Sequence, residues 1–543
     1  MEPTTSGEHW IDKLARRVEA ELRRRGKREY VFNGGLSVSG IQHIGRLRGE
    51  VLIPEAVRRV LERRGYRVRQ LITVYTQDPW KGKKPQREQF RDPEEARRYV
   101  GWPLIRVPDP EGCHSNWVDH FWSDFGPYLD EFTDGKIEVV ITTDLYRGAL
   151  REYIVSRILP IREKIREIIN KYRGRKPYPE GWIPIEPICE KCGRIDRTVA
   201  LSVEGYRVKY KCLNCGHTGE VDISDGKLNW RLEWASIWDI LRVDFEPYGK
   251  DHATPGGSRD SCVDLAVNAL GFEPPIGEWY EWVSIRASGR TVDMTSSGFV
   301  GITPREWLEI AHPQILRFLY FYVHPHKKVV VDLSRIPSYY EQYYRAERIY
   351  FGAERASSPE EASYLARTYE LSHPKEPPHA LPLQVPYTHA SILAQLLGPD
   401  NLDGAIERLR RTGHIRGDPD NYSRKWLSGL LRRSYNWTLR YGPESMRFSI
   451  VKEPAPEVLA GLKYREIFCR LSTALTQLDE WNEEAIKNAM IEATRDMKSR
   501  DRREFYKEFY LLFIGRPQGP RAAPLLSLLP KKFVLDRLSI ACG

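Results

Sequence analysis

The first half of the chain alternates short, β-branched apolar runs with longer amphipathic stretches, whereas the second half keeps only the helical period. Residues 10–28 place apolar positions at helical spacing among many charges and predict an N-terminal amphipathic helix. Residues 29–33 and 68–75 read as strands, separated by a Gly/Ser turn and a helix over 43–64. Residues 137–142 form a strongly β-branched strand, followed by an amphipathic helix over 145–172. Alternation of this kind implies parallel βαβ units. A Pro/Gly-rich break over 174–187 interrupts it, and the α/β pattern resumes near Gly226 and runs to about Phe299. Helical signals then dominate. Thr303-Pro304-Arg305-Glu306 is a capping box with proline at the first helical position, and Ser358-Pro359-Glu360-Glu361 opens another helix by the same logic. From there to the C-terminus an all-α domain is expected, with a loop over 517–524.

A chain of 543 residues is too long for one core, so several units are expected. A net charge of +10 suits a polyanionic partner, although a well-solvated surface accounts for it equally. Four of the eight cysteines lie in two Cys-x-x-Cys pairs, which points to metal in a reducing compartment rather than to a secreted disulfide scaffold. The N-terminus lacks the apolar stretch of a signal peptide, and no segment approaches the roughly 18 apolar residues of a membrane span. A cytoplasmic protein with no membrane partner is expected.

Candidate chemistry sits at the element boundaries. After the first strand comes Asn33-Gly34-Gly35-Leu36-Ser37-Val38-Ser39-Gly40-Ile41-Gln42-His43-Ile44-Gly45-Arg46. Glycines let such a turn approach a nucleotide closely, the following helix offers free N–H groups to phosphate, and a histidine there can donate to a phosphate oxygen. Cys189, Cys192, Cys212 and Cys215, with nineteen residues between the pairs, have the spacing of a tetrahedral structural zinc ribbon. Asp109, Cys113, His114 and His120 are a second candidate zinc cluster, with ordinary loop polarity as the alternative. Trp230, Trp234 and Trp238 share a helix face whose default role is core packing. Lys250-Asp251-His252, flanked by glycines up to Gly256-Gly257, suits a polar site at a strand end. Residues 408–433 interleave Arg410, Arg411, Arg416, Arg424, Lys425, Arg432 and Arg433 with Tyr422 and Trp426; this reads either as a nucleic-acid surface or as a charged helical surface over core aromatics.

These motifs, in this order over about residues 25–310, resemble the archaeal-type class I lysyl-tRNA synthetases. That family writes the histidine turn as Gly-Ile-Thr-Pro-Ser-Gly-x-x-His-Ile-Gly-Asn, carries an Asp-Pro-x-Gly-Cys-His segment as a second zinc site, and has a stretch nearly identical to Asp244-Phe245-Glu246-Pro247-Tyr248-Gly249-Lys250-Asp251-His252. The resemblance implies that Gly35, Ser37, Trp230, His252 and Tyr280 enclose lysine. It implies ATP contacts at Gly40, His43, Asp251, Gly256, Gly257 and Met294, and catalytic roles for His43, Gly45, Arg46, Ser296 and Ser297. The chain departs from the family at Asp293-Met294-Thr295-Ser296-Ser297-Gly298, where the signature Lys-Met-Ser-x-Ser-Lys-Gly is expected. Asp293 and Gly298 replace both lysines that clamp pyrophosphate, and Arg290 or Arg46 is the candidate substitute.

The expected fold is therefore α/β: a class I Rossmann-type parallel-sheet catalytic domain with a zinc-ribbon insertion, plus an all-α C-terminal domain. The expected segments are 1–175 and 226–305 for the two catalytic halves and 176–225 for the ribbon. A helical connecting region at 306–355 and an anticodon-binding domain at 356–543 complete the chain. The expected activity joins L-lysine to lysine tRNA through lysyl-adenylate, with ATP, Mg²⁺ and Zn²⁺. A non-adenylating paralogue that binds tRNA, or a class I synthetase of another specificity such as glutamyl, are the alternatives.

Overall fold

In the computed structural model the described residues are 8–174, 176–287, 289–415 and 417–543. They fall into two compact units. The first comprises Met1–Trp307, Leu316–Asp332 and Arg355–Glu376, and the second Leu308–Ile315, Leu333–Glu354 and Pro377–Gly543.

The first unit is built on β1 (Tyr30–Ser37), β2 (Val68–Tyr75), β3 (Ile137–Ile141), β4 (Val243–Gly249) and β5 (Ile276–Tyr280). Their order is β5-β4-β1-β2-β3, and every neighbouring pair is parallel. Chain order runs outward from β1 to β2 and β3 on one side, then to β4 and β5 on the other. It reverses at the β1/β4 seam, where parallel α/β sheets open a crevice at the carboxyl ends of their strands. Both central strands are buried along most of their length, as a sheet covered on both faces requires. This is the Rossmann-type arrangement read from the sequence.

Local departures have identifiable causes. β1 continues to Ser37, four residues beyond the expected end, and includes Gly34 and Gly35. Gly34 serves a close approach there and makes no turn, because a Cβ on it would collide with the Glu50 carbonyl. The helix expected over 43–64 begins as a wide π-type turn, Leu47–Leu52, and continues as Ile53–Glu62. The single helix expected over 145–172 is broken twice. Gly148 leaves helical space at φ −120°, ψ −118°, and Pro160 lies in the 3₁₀ turn Leu159–Ile161 before Arg162–Lys171 resumes.

The insertion carries a three-stranded antiparallel sheet, Thr198–Glu204, Arg207–Cys212 and Thr218–Asp222. It leaves and re-enters the unit through the antiparallel pair Ile185–Pro187 and Gly226–Leu228. Val329–Asp332 is a strand inside the stretch read as helical; it pairs in parallel with Val283–Ala287, whose other neighbour is Arg290–Asp293. Four residues are too few to register against the helical signals around them. The capping box forms as read: Thr303 Oγ1 accepts the Glu306 N–H at 3.2 Å and Glu306 Oε2 accepts the Thr303 N–H at 2.7 Å.

In the second unit, described residues from 377 onward contain no strand. Its core stacks Trp426 on His312 (centroids 3.9 Å apart) and Tyr343 (5.6 Å). The expected loop over 517–524 is shorter, because a helix begins at Ala522 (Ala522–Ser527). Cys469 and Cys542 form a disulfide joining the helices Arg465–Thr476 and Lys531–Cys542, which the reading of the cysteines as metal ligands in a reducing compartment did not anticipate.

Candidate active site

The carboxyl ends of β1 and β4 deliver the residues on either side of the seam. Leaving β1, the chain turns through 38–46 with its backbone pinned on several sides. The Ile44 N–H donates to the Ile302 carbonyl (2.8 Å), Tyr320 Oη donates to the Ile44 carbonyl (3.0 Å), and Trp117 Nε1 donates to the Val38 carbonyl (3.1 Å). His43 is held under this turn, 8% exposed, with Nδ1 unpartnered. Burial, reinforced by Arg46, pulls its pKa down to about 3, so the ring is neutral at physiological pH. Gly45 leaves it room: a Cβ there would sit 2.9 Å from Nδ1.

Across the seam, β4 ends in the 3₁₀ turn Lys250–His252. The helix Trp230–Ile240 packs against it, held by the buried carboxylate of Glu246, which accepts from Trp234 Nε1 (2.5 Å), Trp238 Nε1 (3.2 Å) and Asn33 Nδ2 of β1 (2.7 Å). Two of the three tryptophans are therefore core, as their spacing suggested. Trp230 differs: it is 39% exposed, and its ring lies 6.4 Å from that of His252. On the neighbouring strand, Tyr280 ends β5 in register with Gly249, its buried ring lying over Gly49.

Gly35 and Ser37 lie at the same edge, in the last three residues of β1. Asp251, two residues after Gly249, has a carboxylate oxygen 2.6 Å from where a Gly249 Cβ would stand. Gly256, at φ +72°, and Gly257 precede the helix Ser258–Asp264.

The third wall is the loop 293–298. A narrow turn closes it through reciprocal hydrogen bonds between Thr295 and Val300 (2.9 and 3.1 Å). Its Ser296 carbonyl approaches so near to Gly40 that no Cβ would fit. Met294 is buried beside Gly301, and Gly301 in turn abuts His43. Residues from other segments complete the arrangement. Lys83 Nζ donates to Ser297 Oγ (3.0 Å), while the neighbouring Gln86 ties this segment to the histidine turn by donating to the Ser39 carbonyl (2.8 Å). Arg46 Nε donates to Ser296 Oγ (3.3 Å), and Arg46 also lies 3.5 Å from Glu50. Glu50 is buried with Oε2 unpartnered; burial outweighs Arg46 and pushes its pKa up to about 7. Lys328 pairs with Asp293 at 2.5 Å and, with the Ser284 hydroxyl, holds that carboxyl below its ordinary range.

A family model described as tRNA synthetases class I (K) matches residues 8–375. The chain belongs to that family. It is 62% identical to a lysine–tRNA ligase of Aeropyrum pernix, over 98% of each chain. It is 33% identical to ligases of the same name from Methanocaldococcus jannaschii and Pyrococcus horikoshii, over 98% of this chain and 99% of each relative.

Against the family signature, the two loop positions where lysine is expected carry no cation, but the loop is not without one. Of the two arginines considered as substitutes, Arg46 reaches it. Arg290 stands at the opposite end of the four-residue strand Arg290–Asp293, roughly 10 Å from Asp293 at about 3.3 Å per residue. Lys83, Glu50 and Lys328 were missed because none lies in a recognisable motif; a buried charge inside a predicted helix was the only signal at Glu50.

Both predicted metal clusters assemble. In the ribbon, Cys189 and Cys215 sulfurs lie 3.7 Å apart and those of Cys192 and Cys212 3.6 Å apart. A tetrahedron with Zn–S bonds of about 2.3 Å has edges of about 3.8 Å, so the four thiols fit zinc with little movement. In the second cluster Cys113 Sγ lies 3.0 Å from His114 Nδ1 and 3.4 Å from His120 Nδ1, and Asp109 is 3.0 Å from His120 Nδ1. That mixed set also fits a tetrahedral ion. The C-terminal aromatics do not form a stacking surface. Trp426 is buried in the core and Tyr422 stacks on it, while Arg410, Arg424 and Arg432 pair with acids. Arg416 lies outside the described residues.

Proposed function

We propose that this chain is a cytoplasmic lysine–tRNA ligase that forms lysyl-adenylate in the β1/β4 crevice and passes lysine to the terminal ribose of its tRNA. The observation that carries the reading is the seam itself: in a chain of this family, the histidine turn leaves β1 and the turn carrying His252, whose ring lies 6.4 Å from that of Trp230, leaves β4, at the adjacent strand ends where such sheets take nucleotide. The lysine carboxylate attacks the α-phosphorus of ATP, and pyrophosphate leaves. A tRNA hydroxyl then attacks the activated carbonyl, and AMP leaves.

Gly35, Ser37, Trp230, His252 and Tyr280 would enclose lysine, the aromatic faces attracting its ammonium. Gly40, Asp251, Gly256, Gly257 and Met294 would border the adenosine. Neutral His43 would donate to the phosphates; Gly45 makes room for it. Arg46 and Lys83, orienting Ser296 and Ser297, would supply the positive charge that the loop's own residues lack. Lys328 would screen Asp293 from the triphosphate. Mg²⁺ arriving with ATP neutralises further phosphate charge. Cys189, Cys192, Cys212 and Cys215, and separately Asp109, Cys113, His114 and His120, would hold structural zinc ions. The missing loop lysines were the one argument for a non-adenylating paralogue; the cations of Lys83 and Arg46 at the loop support the adenylating reading against it.

Lysine-dependent ATP–pyrophosphate exchange, with and without tRNA and against the other amino acids, tests the proposal. Exchange specific to lysine is expected; exchange with another amino acid, or none in either arm, would overturn it.

A further inference from the structure

A third cluster of ligand-type side chains lies in the helical unit. His389 is in the first turn of the helix Tyr387–Leu397, His414 follows the helix Leu402–Arg411, and Glu483 opens the helix Glu483–Ala493. One donor atom from each lies within 4.8 Å of the other two.

Several details set this apart from incidental packing. The two imidazoles are 4.2 Å apart between centroids, their planes tilted by 37°. His389 is 3% exposed and its Nε2 has no partner, a state that is costly when nothing satisfies the atom. His414 is oriented by Thr412. The Thr412 hydroxyl, within 3.0 and 3.2 Å of the Arg408 and Leu409 carbonyls, lies 2.8 Å from His414 Nδ1. A polar partner on one ring nitrogen orients the imidazole, as the outer partners of metal-binding histidines commonly do. At the third corner Asn482 caps its helix through the Ala485 N–H (2.9 Å), which positions Glu483.

We propose that His389, His414 and Glu483 bind a divalent ion of the zinc class, with water as the remaining ligand, and that the ion fastens three helical segments of this unit. Two imidazoles and one carboxylate form a borderline donor set that zinc accepts. Donors around zinc at about 2.0 Å stand roughly 3.3 Å apart, so donors already within 4.8 Å of one another would close by at most about 1.5 Å. Binding would satisfy the orphaned His389 nitrogen.

The test compares the intact protein with His414→Gln and Glu483→Gln, both at half-buried positions whose substitution leaves the core in place. Each is saturated with Zn²⁺, desalted and analysed for metal by mass spectrometry, with cooperative thermal melting as the check on folding. The unaltered chain should retain one more zinc per molecule than either variant. Added zinc should raise its melting temperature further than theirs. In the cobalt-substituted protein, the variants should lose a ligand-field band that has no thiolate charge-transfer partner. Equal zinc content in folded variants and unaltered protein would overturn the proposal. So would a melting response to zinc that is the same in all three.

Discussion

Asp293 occupies a position where the family signature has a cation, and its surroundings show how one residue's change is absorbed by others. Lys328 neutralises it, while Lys83 and Arg46 approach the loop from separate segments through Ser297 and Ser296. If these two cations act on the leaving pyrophosphate, Lys83→Ala should lower kcat for adenylation ten- to hundredfold, about 1.4–2.7 kcal/mol of transition-state stabilisation. Lysine affinity should stay unchanged, and Lys83→Arg should recover most of the rate. Single-turnover adenylate formation separates these quantities; a change confined to lysine affinity would exclude the role.

Glu50 offers a pH test. Its folded-state pKa, raised to about 7 by burial, exceeds the ordinary 4.5, so the folded protein binds this proton more tightly than the unfolded chain does. The resulting stabilisation is fully present below about pH 4.5 and is lost as pH rises through about 7. Denaturant titrations should therefore show a decline of up to about 3 kcal/mol across that window, and Glu50→Gln should abolish that decline. His43, Trp230 and His252 were legible in the sequence because each sits in a contiguous motif at a strand end. Lys83, Lys328 and Glu50 were not, because only the folded chain brings them to the loop.

At the scale of elements, β2 was read to the residue because its apolar run is bounded on both sides, whereas β1 was cut short at glycines that look like a turn. Gly34 admits the backbone of the Leu47–Leu52 turn, a tertiary demand that one-dimensional patterning does not register. The helix read over 145–172 failed differently. Its apolar period survives both breaks because the segments keep one face on the same core. The Cys469–Cys542 disulfide was equally hidden, since nothing in the spacing of two cysteines 73 residues apart pairs them. Cross-linking a loop of that length restricts the unfolded chain by about 4 kcal/mol in the entropic account. Cys542→Ser should thus lower the melting temperature of the helical unit, and reductant should bring the unaltered protein down to the variant's midpoint. Identical midpoints with and without reductant would show that the bond adds no stability.

For the whole molecule, a net charge of +10 suits the tRNA partner of the proposed reaction, which would be engaged by surfaces beyond the crevice. Tyr422 and Trp426 were read either as stacking partners for unpaired bases or as core aromatics under a charged surface; Trp426 is spent on a core stack and Tyr422 is stacked against it. What remains at the surface of this segment is mainly charge. Arg410, Arg424 and Arg432 are paired with acids in exposed bridges, each worth at most about 1 kcal/mol and therefore easily exchanged for a phosphate. Arg411 and Lys425 are exposed beside them. Recognition through this surface would rest on phosphate contacts, which fix position and depend on salt, more than on stacking. Arg411→Ala and Lys425→Ala should then raise KM for tRNA several-fold and leave lysine-dependent pyrophosphate exchange unchanged. Each should also flatten the dependence of tRNA affinity on salt, by about one unit of logarithmic slope for every phosphate no longer neutralised. Weaker tRNA binding with an unaltered salt slope would instead mean that these side chains shape the surface without touching the backbone of the nucleic acid.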